Sequence, residues 1–423
     1  MTRKWIVPFV LALVVVAGIF LAVERPRRSS EGAAEAALQK RPVPPDPATP
    51  DAPRHYPVGR RPLAVANHRY PASFFPNTER LASDEMRVTA LGTGMPNLSA
   101  AQKSSGWMVE LGNGDIFLFD VGTGSQENLA ALRPDWSKID KVFVSHLHTD
   151  HVGDMDALLI GGWLAGRYTP LHVYGPAGDT PELGTAAFAR NLRKAFAWDI
   201  RGRAGRLPDA GGLLVAHEFD YARVQVVYER DGVVITQYPQ IHALDGAVGF
   251  RLDWNGLSFV FGGDSIPSRW FLEQARGADI AIHECFYTPE GLAKLYGWPL
   301  REATSVSSYI HTPPSGFGKL MSAAKPRLAV AYHVWLTHEA HREQVEAIRK
   351  AYDGPLTMAD DLVVWNITRE HIEVRKAVVD ELPLPPGTTV GYAEAERSEM
   401  TDVSERIRRG AWEGYTPPPL PEP

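Results

Sequence analysis

An α/β fold is what this sequence predicts, and three observations carry that expectation. Short runs rich in β-branched and aromatic residues recur along the chain, from Arg87 to Leu91 through Arg327 to His333. Helix-compatible stretches lie between many of them. Where no helix intervenes, Asn113-Gly114 and Asn255-Gly256 supply hairpin turns. At 44% apolar and 22% charged, the composition of the 423 residues is ordinary for a globular protein, and the length allows one large domain with tails or more than one domain.

The two ends read differently from the middle. Arg3 and Lys4 precede an uncharged apolar run from Trp5 to Val23, which Glu24, Arg25, Arg27 and Arg28 follow. As a helix this run would reach ~28 Å, close to a bilayer's hydrocarbon thickness. Phe20, two positions before Ala22, suits signal cleavage poorly. Residues 1–28 are therefore expected to be an uncleaved membrane anchor, with the catalytic domain on the periplasmic or outer side of an inner membrane. Residues 29–85 read as a linker, since Pro42-Val-Pro-Pro-Asp-Pro-Ala-Thr-Pro50 favours extended backbone and cannot pack a core. Residues 376–423 form a C-terminal extension with a Pro-rich tail and a short amphipathic helix between Asp402 and Trp412. The net charge of −6 gives no global attraction to nucleic acid, and the single Cys285 excludes an internal disulfide.

In the middle, strands over 87–91, 106–111 and 115–121 come first, and the last delivers Asp120 into a Gly122-Thr-Gly124 turn. A helix over 129–132 precedes Val142-Phe-Val-Ser-His-Leu-His-Thr-Asp-His151, where a buried strand breaks into metal-binding side chains. His146 and His148, two apart, point the same way and can grip one cation. Asp150 and His151 turn toward a second. Imidazole and carboxylate without thiolate suit zinc better than iron or manganese. A helix from Asp154, a strand over 171–175 and a helix over 186–197 follow, with His172 read as a sheet or core residue. Hairpins over 224–238 and 247–261 place His242 between them and Asp264 after the second. Strands over 280–285 and 327–333 end near Glu284 and at His333, and a helix over 339–352 follows, with His338 at its start and His341 on it both read as solvated.

This order of residues resembles the metallo-β-lactamase superfamily over 86–375. The resemblance implies a four-layer αβ/βα sandwich and two zinc ions. One ion would take His146, His148 and His242; the other would take Asp150, His151 and His333, with Asp264 bridging and Asp120 orienting the histidines. Leu91-Gly-Thr-Gly94 with Pro96, Phe119-Asp-Val-Gly-Thr-Gly-Ser-Gln126, His283-Glu284 and Ile310-His311-Thr312 resemble the ribonuclease Z and aryl-sulfatase-like branch, and hydrolases associated with guanitoxin biosynthesis. In that branch His311 and Glu284 would handle the leaving-group proton, and Asp150 would also hold the attacking hydroxide. Bacterial ribonuclease Z carries a tRNA-binding arm between its lone His and bridging Asp. Only 22 positions separate His242 from Asp264, and a hairpin fills them.

The expected function is that of a dinuclear zinc hydrolase, in which a metal-bound hydroxide attacks a small-molecule ester of the phosphodiester, aryl sulfate or lactone class. A ribonuclease Z-like endonuclease and a non-catalytic membrane-tethered binding protein are the alternatives. Nucleic acid is not the expected partner; a homodimer is compatible with the sequence. Trp163, Trp335 and a loop from Phe286 through Trp298, Arg301 and Tyr309 are candidates for the substrate pocket. Cys285 lacks a base partner in sequence and reads as a structural thiol.

Overall fold

Short apolar strands and the helices between them sort into two facing sheets. The computed structural model describes residues 70–97, 99–380, 392 and 395–419; the expected anchor at 1–28 lies outside the described residues. The first part of the chain supplies β1 (Ser73–Phe74), β2 (Met86–Gly92), β3 (Gly106–Leu111), β4 (Ile116–Val121), α1 (Ser125–Leu132), β5 (Lys141–Phe143), α2 (Thr149–Val152), α3 (Met155–Ala165), β6 (Leu171–Pro176), α4 (Thr185–Ala195), α5 (Ala197–Arg203) and β7 (Leu214–Phe219). The next part supplies β8 (Gln225–Arg230), β9 (Val233–Pro239), β10 (Val248–Trp254), β11 (Leu257–Phe261), α6 (Arg269–Ala275), β12 (Ile280–Glu284), α7 (Pro289–Tyr296), α8 (Leu300–Tyr309), α9 (Pro314–Ala324), β13 (Leu328–Tyr332), α10 (His338–Arg349) and β14 (Leu356–Met358). Then β15 (Val363–Ile367) and β16 (Ile372–Ala377) follow, and α11 (Glu405–Arg408) lies in the C-terminal extension.

The nine-stranded sheet runs β1-β16-β15-β2-β3-β4-β5-β6-β7 and the seven-stranded sheet β14-β13-β12-β11-β10-β9-β8. Central parallel strands are buried on both faces, which is why β12 (Ile-Ala-Ile-His-Glu) and β13 (Leu-Ala-Val-Ala-Tyr) read as apolar runs and not as alternating ones. Asn255 and Gly256 both take positive φ, 49° and 75°, and turn β10 back onto β11.

Between the sheets, Trp107, Phe117, Phe119 and Phe143 of the first pack against Phe250, Phe259, Phe261 and Tyr332 of the second. The Phe119 and Phe259 ring centroids are 4.8 Å apart. Each such side chain contributes roughly 1.5–3 kcal/mol on burial, so this seam dominates the cohesion of the two sheets. On the outer face of the first sheet α1, α3 and α4 bury Leu129, Leu158 and Ala189, and on that of the second α6, α9 and α10 bury Phe271, Met321 and Ile348. Helices outside and sheets inside make the αβ/βα sandwich that the resemblance implied.

Several local expectations change. Residues 70–85 are tied to the sheet: β1 pairs with β16, Phe74 is buried, and the Tyr70 amide donates to Glu373 at 2.8 Å. The helix expected over 186–197 breaks at Phe196 and continues as α5. The expected aromatic loop after Phe286 is instead two helices. Thr288 caps α7 by accepting from the Gly291 amide, Pro289 fits its first turn, and Gly297 at φ 68° ends it before Pro299 leads into α8. Trp163 is no pocket residue: it lies in the outer core of the first sheet with its indole N–H donating to Pro208 O at 2.8 Å. Among the described residues no helix is long and apolar enough to cross a membrane.

Candidate metal centre

Every candidate side chain sits at or just beyond a strand end except His311, which lies in the turn between α8 and α9. β5 opens into the loop carrying His146 and His148, and α2 follows at once with Asp150 and His151. From the opposing sheet, β9 leads to His242, β11 to Asp264, β12 ends on Glu284 and β13 is followed by His333. The α2 turn lies close against the end of β4: a Cβ at Gly122 would stand 1.9 Å from Asp150 O. Asp120 and His333 hold left-handed backbone, φ 55° and 60°, at a typical cost of ~1–3 kcal/mol each, and local geometry at the site over-determines them. The His333 amide, for instance, donates to Thr93 O at 2.8 Å.

Three groups of ligand atoms result among the described residues, and two of them are those expected. His146 Nε2 lies 3.0 Å from His148 Nδ1, which lies 3.2 Å from His242 Nε2. In the second group His333 Nε2 is 3.1 Å from Asp150 Oδ2 and 3.4 Å from Asp264 Oδ2, and His151 Nε2 is 3.3 Å from Asp264 Oδ1. Within each group one ligand atom per residue falls within 4.8 Å of the others. Asp264 also approaches the first group, 4.0 Å from His242 Nε2. The third group, His242, Asp264, Glu284 and His311, adds the residues expected to move a proton to a ligand set and was not expected from the sequence.

The electrostatics suit cations. Burial, with repulsion from charged His151, holds His146 well below the usual imidazole range, and burial brings His242 down to about 4. These imidazoles are neutral, as ligands must be. Burial opposes charge on Asp264, yet attraction from His333 and His151 outweighs it and keeps that carboxyl well below the usual range. Burial likewise opposes charge on His151, and the carboxylates of Asp264, Asp120 and Asp150 prevail to raise it well above the ordinary value. His151 Nε2 is buried with no hydrogen-bond partner of its own, an orphaned donor atom aimed into the second group. That orphan and the histidine–carboxylate donor set fit divalent metal ions.

Supporting contacts fix these rings. Asp120 Oδ2 accepts from His151 Nδ1 at 2.6 Å and from Ser145 Oγ at 2.8 Å, while Oδ1 accepts from the Ser145 amide at 2.7 Å. The Tyr332 hydroxyl donates to Asp264 Oδ1 at 3.1 Å. Sequence reasoning missed Ser145 and Tyr332, and adjacency to His146 and to His333 was the one available signal. His311 Nδ1 lies 2.9 Å from Glu284 Oε2, and Glu284 Oε1 accepts from the Ser265 amide at 2.6 Å. Burial, reinforced by the charge of Asp264, raises Glu284 well above the carboxylate range, and burial lowers His311. Both shifts favour the uncharged forms, with the carboxyl of Glu284 against His311 Nδ1. Phe286 stacks on the His311 ring at 4.2 Å and 7°. Cys285, fully buried, has its thiol pushed up by burial and stays inert.

A cavity of about 470 Å³ opens over this cluster, lined by Met95, Leu147, Phe286 and Val306 beside His148, Asp150, Asp264, His311 and His333. Trp335 packs edge-on against Phe286 behind it. Trp298 and Tyr309, expected near the pocket, are instead exposed on or between α7 and α8, as is Arg301. His172 stands apart from the site and pairs with His217 at 2.8 Å.

Residues 101–299 match the family described as Metallo-beta-lactamase superfamily. Ribonuclease Z from Mycolicibacterium gilvum (strain PYR-GCK) is 33% identical over 204 residues, which are 47% of this chain and 68% of that protein. The chain belongs to the metallo-β-lactamase superfamily. Ribonuclease Z from Mycobacterium avium (strain 104) is 29% identical over 283 residues, 66% of this chain and 96% of that relative. A metallo-β-lactamase fold protein from Bacillus subtilis, YhfI, shares the fold at 20% identity and a TM-score of 0.52, over 67% of this chain and all of that one. As a superfamily member the chain is a metal-dependent hydrolase, with His/Asp clusters in place to bind metal.

Proposed function

We propose that the protein is a dinuclear zinc hydrolase of a small-molecule ester. The observation that carries this reading is the meeting of two ligand groups with a histidine–carboxylate dyad at the floor of one cavity. His146, His148 and His242 would hold one ion, Asp150, His151 and His333 the other, and Asp264 would lie between them. When bound, such ions polarise the ester oxygen and ionise a water near neutral pH. The side chains do the rest. Asp150 orients the attacking group, and Asp120, accepting from Nδ1, holds the His151 ring with Nε2 toward the second ligand group, where a bound ion would replace its proton. His311 would give its Nε2 proton to the departing oxygen while Nδ1 takes the carboxyl proton of Glu284, which is left as carboxylate.

Among the described residues that line the cavity none is Lys or Arg, and apolar groups form much of its wall. That supports a compact organic ester over a long polyanion. The second reading, a ribonuclease Z-like endonuclease, draws support from the relatives of that name. Against it stands the short β10–β11 hairpin between His242 and Asp264. We also propose, from the apolar run Trp5–Val23, that the chain is anchored in a membrane with this domain facing outward.

The test is hydrolysis of a bis-aryl phosphodiester, an aryl sulfate and an aryl ester or lactone by the purified chain. Each is measured with zinc, after chelation, and with His148→Ala. Zinc-dependent turnover of one class, lost in the variant, is expected. Cleavage of precursor tRNA with silence on all three would replace the small-ester reading by the endonuclease.

A further inference from the structure

A second built surface lies away from the hydrolytic cavity. Between Arg190 and Arg206 the chain carries six basic residues and one acidic, Asp199, in a protein whose net charge is −6. The segment is α4, α5 and the turn after them. Arg203 is paired with Asp199 at 2.7 Å. Arg190, Arg193, Lys194 and Arg201 form no ion pair with a described carboxylate, and together they rim a groove of about 570 Å³. Arg193 Nε is buried without a hydrogen-bond partner. The floor is aliphatic, made by Ala189, Ile200 and Leu214 where α4 rests on β7, an edge strand of the nine-stranded sheet, and α5 follows α4. On α5 Trp198 is 87% exposed.

Four cations around an aliphatic trough, of which Arg190 also feels the carboxylate of Glu182, with the exposed indole of Trp198 nearby in α5, define a ligand with two parts. It must be anionic where the rim is and apolar where the floor is. We propose that the α4–α5 groove is a docking site for the anionic headgroups of a phospholipid membrane. Phosphate oxygens meet the guanidinium and ammonium groups, the first methylenes of the acyl chains cover the floor, and Trp198 sits at the interface where indole rings concentrate. Single-stranded nucleic acid would match the charge but not the floor, which presents neither an aromatic face for stacking nor polar groups for base edges. The 19-residue apolar run at the start of the sequence would keep such a membrane nearby. This groove shares no lining residue with the hydrolytic cavity, so the inference stands apart from the reaction assigned to it.

The test uses the full chain carrying Asn191→Cys, an exposed site on α4, labelled with a polarity-sensitive fluorophore; the native Cys285 is buried and does not react. The labelled protein is presented to lipid nanodiscs of neutral phospholipid or of a mixture rich in anionic phospholipid. Expected is a blue shift with anionic lipid alone, reversed by high salt. Replacing Arg190, Arg193, Lys194 and Arg201 by Gln should weaken the response by about fivefold per charge. Metal content and the thermal melt of that variant should match the parent and so exclude misfolding. An equal response to neutral and anionic lipid, or one that the quadruple variant keeps, would overturn the proposal. So would binding of single-stranded RNA that depends on the four cations while the lipid response does not.

Discussion

Asp120→Asn tests how the site holds a metal without touching any proposed ligand atom. Asp120 accepts three hydrogen bonds: from the Ser145 amide on Oδ1, and from Ser145 Oγ and His151 Nδ1 on Oδ2. An asparagine keeps one acceptor. If its oxygen stays on the Ser145 amide, its NH2 faces His151 Nδ1, and two donors cannot share that 2.6 Å contact. The imidazole must then give up its Nδ1 proton and keep the one on Nε2, the atom aimed at Asp264 and Asp150 from 3.3 and 3.6 Å. If the amide flips, the Ser145 N–H is left buried and unmatched, which costs ~1–3 kcal/mol. Either way the second ligand group loses a lone pair or the fold loses a bond. Losses of support of this kind weaken metal binding by about 10- to 100-fold, equivalent to roughly 1.4–2.7 kcal/mol. The assay is zinc competition against a chromophoric chelator, with a urea melt of the metal-free chain as the control on folding. Unchanged zinc affinity in a folded Asp120→Asn variant would refute the tautomer argument.

Three further substitutions probe other parts of the same reasoning. Glu284→Gln removes the carboxyl that passes a proton to His311; kcat should fall by about 10²-fold or more with metal content unchanged, read from steady-state kinetics and metal analysis on the same preparation. Gly122→Ala would set a methyl group 1.9 Å from Asp150 O, and since backbone must yield, a loss of ~1–3 kcal/mol in a thermal melt should accompany lower zinc occupancy. Asp279→Ala strands the buried Arg327, whose Nη1 donates to Asp279 Oδ1 at 2.6 Å; chemical denaturation should show a loss of about 3–5 kcal/mol, with the zinc affinity of the folded fraction unchanged because the pair lies away from the cavity.

What could be read in advance depended on how local each signal was. His146, His148, Asp150 and His151 were legible as candidates because six consecutive positions at a strand end hold four side chains of metal-ligand type. His242, Asp264 and His333 are isolated in sequence, and only the order of strands and the family resemblance joined them to the cluster. Ser145 and Tyr332 act on partners 25 and 68 positions away, a relation that no periodicity contains. Strand β1 is two residues long and finds its neighbour β16 some 300 positions later, so the stretch before Met86 looked like linker. The α7–α8 pair was a different failure. Its capping threonine, first-turn proline and left-handed glycine were all present, and the density of aromatics drew attention from them. Trp163 misled for a related reason, because α3 is apolar nearly all round and hides its tryptophan on the side away from the site.

Neither of the two expected ligand groups belongs to one sheet. His146 and His148 come from the strand-end loop of the nine-stranded sheet and His242 from the opposing one; Asp150 and His151 likewise face Asp264 and His333 across the seam. A cation held by either group is therefore a rivet through both plates of the sandwich. At about 100 times its dissociation constant, one such ion would add roughly 2.7 kcal/mol to the folded state, and that increment would resist the sliding of one plate over the other in particular. Fraying at β1 or β14, the outer margins, would leave the rivets untouched, whereas a slip of a single residue along the seam would part both sets of donors together. Tolerance of the margins and intolerance of the seam follow from where the donors are anchored.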